Sequence, residues 1–285
     1  MSVKCKKCMF KIHLVLRMQR IQHICAVLSF ILLTGCTNDD TGKKDGIPSA
    51  DSSSKTEQLL NDSTTTDSMR VQLIEQLVQD STYDKALVQI EKLLQKDSSN
   101  PGWLYIKADA LEKMGDTASA ILNYNKAVNS AGIFIDAEIR AAILFAEKAD
   151  ANALKLCDRL LANPGAVGYR SDVLRIKGIY YAKSGNSKKA IEQFNQIISE
   201  DYTYLDAYIE KGLVYFDTKN YKDAWTVFAK STEVSNKFAE GYFWMAKAEE
   251  RMNQKAEAAA NYKRALALDQ SLSEARQAIQ RLETK

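Results

Sequence analysis

The chain of 285 residues has only three prolines, twelve glycines and two histidines. Proline and glycine interrupt helices and are used freely by strand-and-turn architectures, so their scarcity sets an all-helical expectation. Both histidines, His13 and His23, lie near the N-terminus. If that segment is removed, the rest has no imidazole, and so no Ser-His triad, no His-paired cysteine nucleophile and no imidazole-ligated zinc. A long apolar span is lacking too. The run from Ile24 to Leu33 has ten residues, which covers about half of a ~30 Å hydrocarbon core at ~1.5 Å per residue, so a permanent transmembrane helix is not expected.

What stands around that run has a recognisable order. Residues 1–35 hold Lys4, Lys6, Lys7, Lys11, Arg17 and Arg20 and no acid, followed by the apolar run, which is the layout of a signal peptide. Met18 would be a more usual start than Met1 or Met9. The run ends in Leu33-Thr34-Gly35-Cys36, which resembles a bacterial lipobox. That resemblance implies cleavage before Cys36, acylation of its thiol and stable membrane anchoring by several acyl chains. Losing six positive charges takes the net charge from +3 to −3, so the basic precursor is no argument for a nucleic-acid partner.

Residues 36–66 then form the acylated cysteine and a tether rich in Ser, Thr, Asp, Asn, Lys and Gly, a composition that cannot bury a core. Thirty such residues have a root-mean-square reach of ~30 Å. Its start, Thr37-Asn38-Asp39-Asp40, resembles the export signals of some Bacteroidetes lipoproteins, which implies cell-surface exposure. Gly42-Lys43-Lys44 lacks the glycine-rich lead and the Ser/Thr of a phosphate loop. Cys5, Cys8 and Cys25 leave with the signal, so Cys157 is the one unmodified thiol and no internal disulfide can form. No cofactor and no metal site is expected.

Beyond Thr66, apolar residues recur at helical spacing and the chain matches itself at a period of 34. Six units are expected, at 67–100, 101–133, 134–165, 171–204, 205–238 and 239–272, with a slip of two residues after the third. The clearest carry small and aromatic residues at fixed places: Gly178, Tyr181, Ala190 and Phe194; Gly212, Tyr215, Ala224 and Phe228; Ala246, Ala258, Tyr262 and Ala265. The third departs most, with Lys148-Ala149 where a turn residue belongs and Cys157 in an aromatic place; a shifted or bent helix pair is expected there. Residues 273–285, with Ala275, Ile279 and Leu282 on one face, read as a capping helix.

These places resemble the tetratricopeptide repeat, a helix-turn-helix unit. The resemblance implies an all-α, right-handed α-solenoid of about six such units with a C-terminal capping helix. It also implies a concave groove lined by the first helix of each unit and used to hold another protein. Transferred place by place, it assigns Phe145, Arg175, Ile179, Ile209, Leu213, Phe216, Phe243, Lys247 and Arg251 to an apolar strip with basic flanks, suited to an amphipathic helix or an extended peptide. The best anchors in it are Phe216 and Phe243. The ninth places hold Glu75, Asp109, Ala142, Ile179, Leu213 and Lys247, without the asparagine by which related repeats clamp the carboxylate of cytosolic chaperones. Glu240, Glu249 and Glu250 are expected on a solvated face.

The expectation is thus a non-enzymatic, lipid-anchored scaffold of the cell envelope, on the outer membrane, binding a protein or peptide and no nucleic acid. A structural homo-oligomer, an outer-membrane or pilus assembly subunit, and a carboxylate-based enzyme are the alternatives. The oligomeric state is left open.

Overall fold

The computed structural model describes residues 66–283; the expected signal segment, Cys36 and nearly all of the expected tether lie outside the described residues. Thirteen α-helices follow one another there without a strand: α1 (Asp67–Gln79), α2 (Tyr83–Lys96), α3 (Pro101–Met114), α4 (Thr117–Ala131), α5 (Ile135–Glu147), α6 (Asn152–Ala162), α7 (Arg170–Lys183), α8 (Ser187–Glu200), α9 (Leu205–Asp217), α10 (Tyr221–Val234), α11 (Ala239–Arg251), α12 (Lys255–Leu268) and α13 (Ser273–Glu283). A 3-10 turn, Pro164–Tyr169, joins α6 to α7. Each odd-numbered helix packs on the next even-numbered one, and each pair packs on its successor.

The turns inside the pairs share one geometry. Ser81, Gly115, Ala149, Gly185, Lys219 and Asn253 all have φ between +54° and +88°. The amide after each donates to a carbonyl five residues back, as in Asp116 N to Leu111 O (2.9 Å) and Asp150 N to Phe145 O (2.9 Å). This is the Schellman closure of a helix. The third unit therefore turns like the others, with Ala149 taking the left-handed place that Gly115 and Gly185 take in theirs, but its second helix is shifted: it begins one residue later and opens on bonds from Ala153 N to Asp150 O and from Leu154 N to Ala151 O.

The connections between pairs rely on side-chain oxygens. Asp97, Asp201 and Asp269 accept from the amides of Ser99 (3.2 Å), Thr203 (2.9 Å) and Ser271 (2.9 Å). In the third connection Asn163 accepts from Gly165 N at 2.9 Å, and the 3-10 turn that follows absorbs the two-residue slip. Asn100, Asp116 and Asn186 cap α3, α4 and α8, satisfying amides that a helix start leaves without partners.

Inside each pair, a large ring on the second helix fills the space over a small residue on the first. A Cβ on Gly178 would lie 2.5 Å from the Phe194 ring, and one on Gly212 would lie closer still to Phe228. Phe194 and Phe228 are fully buried, as are Ala190, Ala224, Ala246, Ala258, Tyr262 and Ala265; Tyr181 and Tyr215 are half-buried. Helix α5 packs closely on α7 as well as on α6. Its Ala142 and Ala146 share a core cluster with Val173 and Ile176 of α7, small side chains letting the two backbones approach.

Candidate partner-binding face

The odd-numbered helices stack side by side, and ion pairs between them mark one continuous face. Arg140 of α5 reaches back to α3, with Nη2 3.2 Å from Asp109 and Nη1 3.5 Å from Glu112. Arg281 of α13 lies 2.6 Å from Glu250 of α11, and Lys247 of α11 pairs with Glu274 of α13. Asp109, Glu112, Lys247 and Glu250 are thus paired from within the chain.

The two glutamates in these pairs have a second partner in common. Tyr124 donates its hydroxyl to Glu112 at 2.9 Å and Tyr262 donates to Glu250 at 2.7 Å, each across twelve residues. In the other units the position twelve residues before the second-helix core residue is apolar: Val78 before Ile90, Phe145 before Cys157, Ala182 before Phe194 and Phe216 before Phe228. A buried hydroxyl requires an acceptor and a phenyl ring does not. Burial pushes the Glu112 carboxyl above its usual range, with Arg140 and the Tyr124 hydroxyl opposing it. Burial and the neighbouring Asp109 push Glu75 up as well.

Between the charged ends the face is largely apolar. Leu213 and Phe145 are half-buried, Lys247 is largely covered, and Arg251 is exposed, stacked 5.7 Å from Phe216 and 5.9 Å from Tyr221. The expected strip needs correction here. Ile179, Ile209, Phe216 and Phe243 are buried, Ile209 completely. Phe216 sits edge-on to Trp244 and Tyr221, and Phe243 edge-on to Trp244 and Tyr262. The two intended anchors are therefore core residues, because α10, α11 and α12 supply aromatic neighbours that close over them.

Arg175 is also buried. Its Nε and Nη1 have no hydrogen-bond partner among the described residues, and the nearest carboxylate oxygen is Glu210 Oε1 at 3.8 Å. Neighbouring Tyr204 donates to Asp172 at 2.5 Å. A buried guanidinium with two nitrogens short of hydrogen bonds is costly and uncommon.

The expected solvated acids differ too. Glu249 is buried and accepts from Trp225 Nε1 (2.8 Å) and from Asn261 Nδ2 (2.9 Å to each oxygen), which ties α10, α11 and α12 together. Glu250 is held by Tyr262 and Arg281, and Glu240 accepts from Trp244 Nε1 at 3.4 Å. Sequence reading overlooked the Glu–Tyr pairs, although their twelve-residue spacing is visible in the chain. Burial pushes the Cys157 thiol up to about 12. Among the described residues no group of His, Cys, Asp and Glu is placed to hold a metal ion, and no helix is long and apolar enough to cross a membrane.

An all-α stack of helix pairs with small-on-aromatic packing is the architecture of a helical repeat scaffold. Tetratricopeptide repeat family models match residues 104–132, 177–233 and 239–272. The chain carries tetratricopeptide repeats, and its fold is the solenoid they build. The same fold is found in a tetratricopeptide repeat protein from Parabacteroides merdae ATCC 43184, at 18% identity and a TM-score of 0.65 over 82% of this chain and 91% of that one. It is found also in PilW, a widely conserved type IV pilus biogenesis factor, at 17% identity and a TM-score of 0.59 over 73% of this chain and 96% of PilW. No curated protein matches the sequence.

Proposed function

We propose that the chain is a non-enzymatic, lipid-anchored scaffold of the cell envelope, held at the outer membrane through Cys36, that binds a protein segment along the stacked first helices. The observation that carries this reading is the uneven chemistry of that face. Asp109 and Glu112 towards one end and Lys247 and Glu250 towards the other are paired within the chain, whereas Phe145, Ala182 and Leu213 leave a partly accessible apolar centre. An amphipathic helix or extended peptide laid across the centre would bury its own apolar side chains there. Arg175 has its Nε and Nη1 closed off from solvent and without hydrogen bonds, so an acceptor on the bound segment reaches them only if the side chains covering them move aside. The likeness to PilW is consistent with an assembly role and is one of fold alone.

The test is co-purification from envelope fractions with the wild-type chain, Leu213→Asp and Arg175→Met, with mass spectrometry of bound proteins. A partner held by the wild type and lost from both variants, at unchanged helical content, supports the reading. Arg175→Met separates two roles. A structural arginine would lower the thermal midpoint when replaced, whereas a binding arginine leaves it unchanged or raised and loses the partner. Retention of every partner by both variants would rule out this face.

A further inference from the structure

The long edges of the stack differ in chemistry. Every odd-numbered helix begins, and every even-numbered one ends, at one edge, while the left-handed turns line the other. At the first edge Ile133 is 68% exposed between α4 and α5, Val167 is 73% exposed in the 3-10 turn, and Tyr202 is 67% exposed between α8 and α9. Tyr169 and Leu161 add partly exposed apolar surface there. The connections outside this stretch hold Asp97-Ser98-Ser99-Asn100 and Ser235-Asn236-Lys237 in the corresponding places. Among the described residues Met114 is the one exposed large hydrophobic at the opposite edge. Apolar and aromatic tips on three successive connections contribute little to the core, and a grouping of this kind marks a contact surface.

The path of the chain points to what it contacts. Helix α1 begins at this same edge, so the residues before Asp67 depart from it, and only residues 37–66 separate α1 from Cys36. A bilayer holding Cys36 would then lie nearest this edge. We infer that the edge rests on the lipid surface that carries the anchor, with Ile133, Val167 and Tyr202 entering the interfacial layer, where tyrosine is favoured. The inference rests on the proposed acylation of Cys36. Asp136, Asp172, Asp206 and Glu240 stand in the first turns at this edge, so attraction to anionic lipid is not the force. The contact is apolar and tolerates salt. It is weak for a free protein and is made effective by a short tether that keeps the local lipid concentration high.

The chain from Cys36 onward, coupled through Cys36 to a maleimide lipid in phosphatidylcholine vesicles with brominated acyl chains, tests this directly. Cys157 is buried and does not compete for the coupling. Val167→Trp and Tyr202→Trp serve as reporters, with Lys188→Trp on the opposite edge as control. Native Trp103 and Trp244 are buried and Trp225 is half-buried. Emission from the two reporters is expected to fall relative to unbrominated vesicles, equally at low and high salt, while the control is unchanged. Unquenched reporters, or equal quenching of all three, overturn the edge contact. Concentration-dependent dimers that disappear in the triple variant Ile133→Ser, Val167→Ser, Tyr202→Ser overturn it in favour of a second copy. Mass spectrometry of Cys36 from cells reads the anchor separately: an unmodified thiol removes the anchor and the inference with it, whereas an acylated thiol with unquenched reporters removes the inference alone.

Discussion

Tyr262 donates its hydroxyl to Glu250 at 2.7 Å from twelve residues further along the chain, and Tyr124 stands in the same relation to Glu112 at 2.9 Å. An arginine from the following odd-numbered helix, Arg281 or Arg140, completes each arrangement. Core chemistry in one helix pair thus sets the chemistry of the stacked face. A phenol inside requires an acceptor above it, which a carboxylate supplies in these two units, and each carboxylate is paired with a cation from the next unit.

That coupling predicts a paired effect. Phe194→Tyr places a hydroxyl beneath Ala182, with no carboxylate at that position, and should cost about 1–3 kcal/mol. Adding Ala182→Glu should recover part of the loss. Chemical denaturation of the two single variants and the double variant gives the coupling, and a strictly additive result contradicts it.

The close approach of Phe228 to Gly212 leaves no space for a methyl group. Gly212→Ala should lower stability by about 1–3 kcal/mol through overpacking. The replacement otherwise favours a helix by about 1 kcal/mol, so a thermal midpoint at or above the wild type would refute the packing.

Ala149 and Lys219 have positive φ at places where Gly115 and Gly185 stand in other units. Ala149→Gly and Lys219→Gly should each stabilise by about 0.5–1 kcal/mol, the relief of left-handed strain outweighing the added freedom of the unfolded chain. The same change at Ala146, buried in α5, should instead destabilise.

Phe216 and Phe243 are core residues, so Phe216→Ser and Phe243→Ser should each cost about 3–5 kcal/mol. Leu213→Ser, at a half-buried position, should cost less. Circular dichroism melts distinguish this ranking from the one a solvent-facing strip would produce.

Glu112 has its carboxyl pKa raised in the folded chain, chiefly by burial. The folded state therefore binds this proton more readily than the unfolded state. Its contribution to stability is greatest below the ordinary carboxylate range and is lost as pH rises through the raised value. Against Glu112→Gln, the wild type should lose relative stability as pH rises through that window. A difference that stays constant with pH would show that the carboxyl is not perturbed.

Much of the fold was legible in the chain. Small residues such as Gly178 and Gly212, set sixteen residues before Phe194 and Phe228, are a local pattern, and packing of neighbouring helices depends on little else. The turn at Ala149 was harder to read, because the Schellman geometry is imposed by backbone hydrogen bonds and tolerates a residue that does not advertise it. The binding face was the least legible part. Its places follow from helical phase, but exposure depends on which neighbours close over each place, and Trp244 and Tyr221 reach Phe216, and Tyr262 reaches Phe243, from other helices.

Local pattern is enough to set the helical class, the 34-residue period and the places of the small and aromatic core residues, since each arises from contacts between residues close in the chain. Three-dimensional packing settles that Phe216, Phe243 and Glu249 are buried, that Arg140 and Arg281 pair with acids of the stacked face, and that the exposed apolar tips share one edge. Those outcomes depend on contacts between helices, where burial and charge pairing are set by side chains twelve to thirty-one residues apart.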